Sequence, residues 1–359
     1  MKFEKEFPLF SSKVEGVEEK FNLFDLEDRR RYFEAKAGDE IKKLKEYFDG
    51  GNTFIAYLLA KKAAGKGTYT KLLMELFGKD KIEHISVGDT VRAVHADIQD
   101  EQKKEELKKY LESNYRGYMS IDEALNAFLG KTQDKLLPTE FILALVKREI
   151  DKLDKKTLFI DGFPRDLDQV SYSLYFRDLI NYRGDADIFV LIDIPEAVID
   201  ARMQARVVCP KCQTPRNLKL FTTKKVGYDA EKNEYYLKCD NPECGDERMR
   251  GKEGDNMGIE SIRDRLELDD KLAQKVFSLH GIPRVLLRNA IPVDKAGTHA
   301  DEYEITPEYY YERKGETDEA EIKEKPWVVK DDEGVDVYSL QAPPVAVSLI
   351  KQLVKNLGL

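Results

Sequence analysis

The sequence predicts an α/β fold in which helices cover both faces of a parallel β-sheet. Short apolar runs alternate with stretches of helical spacing over most of the chain after residue 50. The runs at 53–59 and 188–194 are almost entirely apolar, which is typical of strands that are buried on both faces. The predicted strands cover residues 53–59, 82–86, 157–161, 188–194 and 284–293. Strands that alternate with helices in this way indicate parallel pairing through helical crossovers.

Segments that break the alternation define the predicted domain organisation. Residues 1–50 form an N-terminal extension, in which a helix is predicted over Asp28–Phe48 before two consecutive glycines. The core follows over 51–359. Three insertions interrupt it, at residues 90–137, 207–254 and 297–342.

The three insertions differ in composition. The first is rich in Lys and Glu and is predicted to be helical without any strand, whereas the second contains all four cysteines. The third is acidic and rich in tyrosine, with a hairpin predicted around residues 331–334. A helix over Ile259–His280 is predicted before the last strand, and an amphipathic helix over 345–357 closes the chain.

Composition limits the classes of protein to which this chain can belong. With 359 residues, of which 42% are hydrophobic, it can bury one large core or two modest ones. The formal net charge of -9 argues against a general affinity for nucleic-acid backbones. No basic segment followed by an apolar one begins the chain, and no apolar run has the length of a membrane span. We therefore expect a monomeric, cytoplasmic protein that binds neither nucleic acid nor membranes.

The stretch AKKAAGKGT, residues 60–68, lies between the first predicted strand and the next helix. Its ending matches the phosphate-binding GxxxxGK[ST] loop, in which backbone N–H groups and the following helix N-terminus face phosphate. Lys66 would reach the β- and γ-phosphates of a nucleotide, with Thr68 beside it. Because alanine occupies the position of the opening glycine, an ordinary glycine-containing turn is the alternative from this motif alone.

The four cysteines form two close pairs, in CPKC and CDNPEC. Thiol pairs separated by a polar, turn-rich segment suit tetrahedral Zn²⁺, and every cysteine of the chain belongs to the cluster. The predicted zinc ligands are Cys209, Cys212, Cys239 and Cys244. Their role would be structural, because four thiolates leave no open position and a segment this small needs metal for rigidity. Four reduced cysteines or two disulfides are the alternatives.

A further stretch, DGFPRDLDQ at residues 161–169, follows a predicted strand, so its charged side chains emerge at the carboxyl edge of the sheet. It closely resembles the signature of adenylate kinases, which exchange a phosphoryl group between ATP and AMP. Other segments resemble further motifs of that family in order and spacing, namely HISVGDTVRA (84–93), LLPTEFILALVKREI (136–150), ARMQARVVCPKC (201–212) and ESIRDRL (260–266). The resemblance covers residues 53–294 and leaves 1–50 and 297–342 unexplained.

The resemblance implies a P-loop NTPase-like sheet and Mg²⁺ that accompanies ATP. It also implies that residues 90–137 are a helical insertion that binds the nucleoside monophosphate (the NMP-binding insertion) and that residues 207–254 are a zinc-ribbon lid. The ATP-binding positions it implies are Ala64, Gly65, Lys66, Gly67, Thr68 and Arg202. The AMP-binding positions it implies are Val87, Arg92, Gly162, Arg165, Gln169 and Arg265. The catalytic positions it implies are Lys66, Asp161, Arg165, Arg202, Arg206 and Arg265, with Asp161 orienting Mg²⁺ through water. Several cations are needed because negative charge spreads over the transferring oxygens, and no covalent nucleophile is required.

The glycine-containing loop departs from the family pattern. Ala60, Lys62 and Ala63 replace a glycine, a proline and a second glycine, and alanine strains the backbone wherever φ must be positive. At the position that lies near the nucleotide base in the family, Val87 replaces the usual threonine. The preference for a particular base is therefore left open.

The residues that follow the cysteine-containing insertion also differ from the family pattern. Gly254, Asn256 and Met257 stand where the family has an arginine followed by paired aspartates. Arg248 or Arg250 would supply the missing cation if the loop register has shifted.

Adenylate kinase activity, with Mg·ATP and AMP as substrates, is the predicted function. The alternative is a catalytically weakened or inactive nucleotide-binding paralogue whose extra segments dock a partner. We favour the enzyme because a site released from selection would lose its charged residues first, and Lys66, Asp161 and the arginines are present. A zinc-ribbon protein that binds nucleic acid is a weaker third hypothesis, since the net charge is acidic.

Overall fold

The computed structural model describes residues 7–129, 139–162, 184–251, 254–278, 281, 283–315, 317 and 319–359. Its strands are β1 (Phe54–Ala60), β2 (Ile82–Ser86), β3 (Thr157–Asp161), β4 (Ala186–Asp193), β5 (Arg206–Val208), β6 (Pro215–Asn217), β7 (Val226–Asp229), β8 (Glu234–Leu237), β9 (Arg250–Gly251), β10 (Arg284–Arg288), β11 (Ala290–Pro292), β12 (Pro307–Arg313), β13 (Ala320–Pro326), β14 (Val328–Lys330) and β15 (Asp336–Ser339). Its helices are α1 (Leu26–Asp49), α2 (Lys66–Phe77), α3 (Val87–Asp97), α4 (Glu101–Asn114), α5 (Ile121–Phe128), α6 (Thr139–Asp151), α7 (Glu196–Gln204), α8 (Arg263–Phe277), α9 (Val293–His299) and α10 (Ala342–Leu357). Short 3₁₀ segments cover Pro242–Cys244, Asp255–Ile262 and Glu302–Glu304.

The central sheet confirms the predicted α/β fold. Five strands pair in the order β10-β4-β1-β3-β2, and each of these pairings is parallel. Along β1, Ala56 and Leu58 pack in one core with side chains of α1, α2 and α10. Tyr57 and Leu59 pack in a second core with side chains of α6 and α8. Helices therefore cover both faces, as the continuous apolar runs require.

One predicted strand divides into two. Residues 284–293 contain β10, in the central sheet, and β11, which joins a separate sheet of order β11-β15-β14. Between them Asn289 is fully buried, and its side chain donates to the carbonyl oxygen of Leu340 and accepts from the hydroxyl of Ser339. A buried side-chain amide needs hydrogen-bond partners, and Asn289 finds them at the end of β15 and in the residue after it. The chain therefore changes from one sheet to the other at Asn289. The antiparallel pairing of β14 with β15 confirms the hairpin predicted around residues 331–334.

The long helix predicted over Ile259–His280 starts later than expected. The chain is 3₁₀ over Asp255–Ile262, and Gly258 has a φ of +55°. Ile262, the residue before the helix, has a φ of -132° and a ψ of 14°, which are not α-helical values, so the helix α8 begins at Arg263. Residues 279 and 280 lie outside the described residues.

Helices fill the described part of the first insertion, where no strand occurs between residues 90 and 129. Leu107 and Leu111 of α4 pack with Phe141 and Leu145 of α6 in a core separate from those of the sheet. Together with α6, the insertion thus forms a small helical lobe whose apolar interior is separate from the cores of the sheet. Residues 130–137 lie outside the described residues.

The N-terminal extension and the third insertion meet at a buried carboxylate. Glu304 has no exposed surface, and its oxygens accept hydrogen bonds of 2.6 Å from the hydroxyls of Ser12 and Tyr32. Burial raises the pKa of Tyr32 well above its usual value, so this phenol stays a donor. The ammonium of Lys36, also fully buried, lies 2.6 Å from a carboxylate oxygen of Asp301. Two segments at opposite ends of the sequence are therefore joined by paired buried charges.

Within the described ranges, none of the helices combines the length and the apolar composition that crossing a bilayer requires.

We expect Lys36→Met to lower the free energy of unfolding by about 3 kcal/mol, because it leaves buried carboxylates without their cation. Urea denaturation followed by circular dichroism measures the change. Lys103→Met is the control, since the pair of Lys103 with Asp97 lies in solvent and its loss should leave the unfolding midpoint almost unchanged. Equal stability of the two variants would contradict this account of the network.

Candidate functional site

A glycine loop, residues 61–65, connects β1 to α2 at the carboxyl edge of the sheet. Gly65 has a φ of +96° and precedes Lys66, the first residue of α2. The helix has no side-chain cap at this end, so its first-turn N–H groups are not covered by a neighbouring side chain. Helix N-termini of this kind attract anions through their N–H groups and the helix dipole. The loop therefore presents a helix N-terminus without a side-chain cap at this edge of the sheet.

Lys66 and Asp161 lie together at the mouth of this loop. The ammonium of Lys66 donates to the carbonyl oxygen of Ala60 at 2.9 Å and lies 3.6 Å from a carboxylate oxygen of Asp161. Asp161 ends β3, and its position opposite Leu58 in the pairing of β1 with β3 brings it to the loop. The sheet register thus joins two charged residues that are 95 positions apart in the chain.

A cleft of about 570 Å³ opens beside the loop. Its lining contains loop and α2 residues from Lys62 to Thr68, Asp161 and Gly162 from the end of β3, and Arg265 and Asp269 from α8. Arg265 pairs with Asp269 at 3.0 Å. Burial raises the pKa of Asp269, although Arg265 and Lys66 oppose the shift. The predicted site residues that line this cleft are Ala64, Gly65, Lys66, Gly67, Thr68, Asp161, Gly162 and Arg265.

Arg202 supports the loop from the neighbouring helix α7. One guanidinium nitrogen donates to the carbonyl oxygen of Ala63 at 3.3 Å, and another lies 3.4 Å from the side-chain oxygen of Asn289. Burial lowers the pKa of Arg202 from its usual value. Asn289 was not among the predicted site residues, because its contact depends on the bend between two sheets.

Arg206 lies in a second cleft, of about 560 Å³, which Arg248 and Arg250 also line. Asp255 accepts two hydrogen bonds from the Arg206 guanidinium, at 2.5 and 2.8 Å. Arg248 donates to the carboxylates of Asp229 and Glu234, at 2.7 and 2.6 Å, within a hairpin of the cysteine-containing insertion. Arg248 is therefore engaged in ion pairs there, whereas Arg250 is exposed on β9.

The predicted AMP-binding residues are only partly described. Val87 is buried at the start of α3, and Arg92 is exposed one turn later, where it pairs with Asp89. Neither residue lines the cleft beside the glycine loop. Arg165 and Gln169 lie outside the described residues.

The four cysteines come together in a cysteine lobe, which we define as residues 206–251. Their sulfur atoms all lie within 4.8 Å of one another, and none is in a disulfide. Zinc–sulfur bonds of about 2.3 Å in a tetrahedron place sulfurs slightly under 4 Å apart. The Cys212 and Cys239 sulfurs are separated by 3.6 Å. The cluster could therefore hold a metal ion with four thiolate ligands.

A hairpin of the third insertion, β12 with β13, packs on the cysteine lobe. The amide of Tyr309 donates to the carbonyl oxygen of Lys219 at 2.7 Å, and Glu319 forms a bridge with Gly227 of β7. Tyr311 and Ala320 join the apolar interior of the lobe together with Leu237. No local pattern connects these two segments of the chain, and the run of tyrosines at 309–311 is the one sequence signal of a packed surface there.

Curated adenylate kinases are similar to this chain. One from Clostridium tetani is 30% identical over 231 residues, which are 64% of this chain and 88% of that relative. One from Clostridium acetobutylicum is 31% identical over 215 residues, 60% of this chain and 80% of the relative. One from Thermotoga petrophila is 36% identical over 167 residues, 46% of this chain and 64% of the relative. No family model matches the chain.

The two alanines that replace family glycines, Ala60 at the end of β1 and Ala63 in the loop, differ in conformation, so their replacement by glycine should have opposite effects. Ala63 has a φ of +64°, which is strained for any residue with a Cβ, whereas Ala60 ends a strand and its φ is not positive. We expect Ala63→Gly to raise the free energy of unfolding by about 1 kcal/mol. Ala60→Gly should lower it by about 0.5–1 kcal/mol, because glycine in a strand loses more conformational entropy.

Urea denaturation of both variants beside the wild type measures these changes. A loss of stability in Ala63→Gly as large as that in Ala60→Gly would show that the positive φ is not a source of strain.

Proposed function

The chain belongs to the adenylate kinase family and is a nucleoside monophosphate kinase, and we propose that it transfers the γ-phosphoryl group of ATP to AMP, reversibly, giving two ADP. The observation that carries this proposal is the cleft in which Lys66, Asp161 and Arg265 meet beside the glycine loop. Three different elements contribute these side chains, and all reach the edge of the sheet where ligands of open α/β sheets bind. A cleft with this lining suits a polyphosphate more than a neutral ligand.

The ATP side of the site would consist of the loop and the first turn of α2. Backbone N–H groups from Ala64 to Thr68 would donate to the phosphate oxygens, those of Ala64 and Thr68 in exchange for their contacts with the carbonyl oxygens of Lys61 and Gly65. Lys66 would exchange its contact with the Ala60 carbonyl for one with phosphate. Arg202 would hold the loop in place through the carbonyl of Ala63. Because these groups are positioned before the substrate arrives, little reorganisation would be needed when charge develops.

Arginines would stabilise the phosphoryl group during transfer. Arg265 already lines the cleft and is oriented by Asp269, and Arg206 is held by Asp255 in the neighbouring cleft. Mg²⁺ bound with ATP would neutralise phosphate charge, and Asp161 is the carboxylate placed to hold its water shell. Phosphoryl transfer needs positioning and charge stabilisation rather than a covalent step, so no nucleophilic side chain is assigned.

The AMP side is proposed mainly on the resemblance to the family. Val87, Arg92 and Gly162 would contact the monophosphate nucleotide together with Arg165, Gln169 and Arg265. Movement of the helical insertion (90–137) and of the cysteine lobe over the two nucleotides would exclude water, which is a competing acceptor. We propose these two segments as the NMP-binding insertion and the lid.

We also propose that the cysteine cluster binds a structural Zn²⁺ through Cys209, Cys212, Cys239 and Cys244. Support comes from the sulfur separations and from the burial of Cys209, Cys239 and Cys244. The apolar interior of the lobe is small, so a metal would contribute directly to its folding.

A weakened or inactive paralogue is the second candidate function. The positive φ of Ala63 favours it, since strain in the loop could reduce phosphate binding. The charged residues of the cleft favour the active enzyme. Turnover with nucleotides therefore decides between the two.

In a coupled assay with Mg·ATP and each of AMP, GMP, UMP and CMP, we expect turnover with AMP. Lys66→Met should lower kcat/KM by at least about 100-fold, because it removes a cation that contacts the transferring phosphates. Lys79→Met, at an exposed position just beyond the other end of α2, is the control and should retain wild-type activity. If ATP binds but no monophosphate is phosphorylated, the inactive paralogue is the better description.

Metal analysis of the purified protein should give about one zinc per chain. Removal of zinc by a chelator should increase hydrogen exchange in residues 206–251 and in the β12–β13 hairpin that packs on them, while β1 serves as the internal reference. Four fully titratable thiols in a folded, metal-free protein with unchanged exchange would rule out a structural zinc site.

A further inference from the structure

The first residue of the glycine loop carries a buried charge. Lys61 follows β1 directly, and only 1% of its side chain is exposed. Burying an ammonium costs several kcal/mol unless partners compensate for the lost hydration. The proposed reaction uses no charge at this position, so Lys61 calls for a separate explanation.

Three carboxylates from three different elements surround the Lys61 ammonium. Glu196 at the start of α7 and Asp332 in the turn between β14 and β15 each lie at 3.1 Å, and Asp270 of α8 lies at 3.8 Å. Burial opposes the charged form, but the carboxylates raise the pKa of Lys61 overall. The ammonium is thus held in place by groups that belong to three separate parts of the fold.

The turn that contains Asp332 is ordered by its own hydrogen bonds. The side chain of Asp331 accepts hydrogen bonds from the amides of Glu333 and Val335, and Gly334 has a φ of +84°. Asp332 in turn accepts a 2.7 Å hydrogen bond from the amide of Glu196. The third insertion therefore reaches the glycine loop through one ordered carboxylate.

Lys61 is linked to the proposed ATP site through its backbone. Its carbonyl oxygen accepts from the amide of Ala64 at 3.3 Å and lies 3.4 Å from the ammonium of Lys66. A shift of Lys61 would therefore move both the loop and the lysine that would contact phosphate.

We propose that Lys61 is a positioning residue, and that its ion pair with Asp332 makes residues 331–334 of the third insertion a structural part of the ATP site. The inference rests on the proposed function only in that the loop binds ATP. It gives a role to a segment that the family resemblance leaves unexplained. Neither residue touches the substrate; both act by fixing the glycine loop.

The test is Asp332→Asn, which removes one charge and almost no volume. We expect hydrogen exchange of the amides from residue 61 to 68 to rise about tenfold in the nucleotide-free protein. Calorimetry should show ATP binding weakened about tenfold and AMP binding unchanged, since only the ATP site contains the loop. Asp336→Asn is the matched control, because Asp336 lies in the same hairpin and pairs with Lys330 in solvent. It should leave exchange and both affinities at wild-type values.

A double-mutant cycle separates positioning from general stability. Lys61→Met should reproduce the loss of ATP affinity, and adding Asp332→Asn to it should cause little further loss, because the two residues act as one pair. Lys61→Arg should restore most of the affinity. If Asp332→Asn does not fold, Glu196→Gln replaces it and should give the same local rise in exchange.

Wild-type loop exchange and ATP affinity in a folded Asp332→Asn, or additive losses in the cycle, would overturn the inference. Failure of the proposed function can be distinguished from failure of this inference. If the protein shows no turnover or does not bind ATP, hydrogen exchange of the loop amides can still be measured in the nucleotide-free protein.

Discussion

Parallel pairing of the central strands is the constraint on which the candidate site depends. β1 pairs with β3 on one side and β4 on the other, so the chain leaves all three strands at the same edge of the sheet. The register that sets Leu58 opposite Asp161 brings the glycine loop and that carboxylate within reach of each other. A shift of one residue in the pairing of β1 with β3 would turn every side chain of β3, Asp161 included, to the opposite face, and burial of the strand makes such a shift costly. The hydrophobic packing of the sheet thereby determines the geometry of a charged cleft.

The segments outside the family resemblance are integrated with the central sheet and its helices rather than appended to them. The N-terminal helix α1 packs in the same core as α2 and α10, and a buried carboxylate, Glu304, joins the extension to the third insertion. The third insertion then extends in two directions. Its β12–β13 hairpin completes the interior of the cysteine lobe, and its β14–β15 turn reaches Lys61.

This arrangement has a consequence for motion of the cysteine lobe. In a lobe held only by a metal cluster and a few apolar side chains, closure can occur as a rigid movement about its two connections to the core. Here the hairpin that packs on the lobe continues through Trp327, which is buried in the main core. Among the described residues, Leu220 of the lobe also packs in that core, so the lobe is held to the core by more than its two chain connections, and any closure must carry or bend the hairpin.

The sequence by itself determined the fold class, the strands of the sheet, the phosphate-loop motif and the cysteine cluster. These features depend on local patterns: continuous apolar runs, a glycine-containing turn before a helix, and closely spaced thiols. The sequence also identified Ala63 as a position where a positive φ would be strained, but not whether φ is positive there.

Only the tertiary structure decided which distant residues meet. The environment of Lys61 is made by Glu196, Asp270 and Asp332, which lie between 135 and 271 positions further along the chain. The division of residues 284–293 between two sheets likewise depends on partners that a buried Asn289 finds near residue 340. Electrostatic pairing and hydrogen bonding act over a few ångströms in space whatever the separation in sequence, so a local pattern cannot specify them. The packing of the whole chain does.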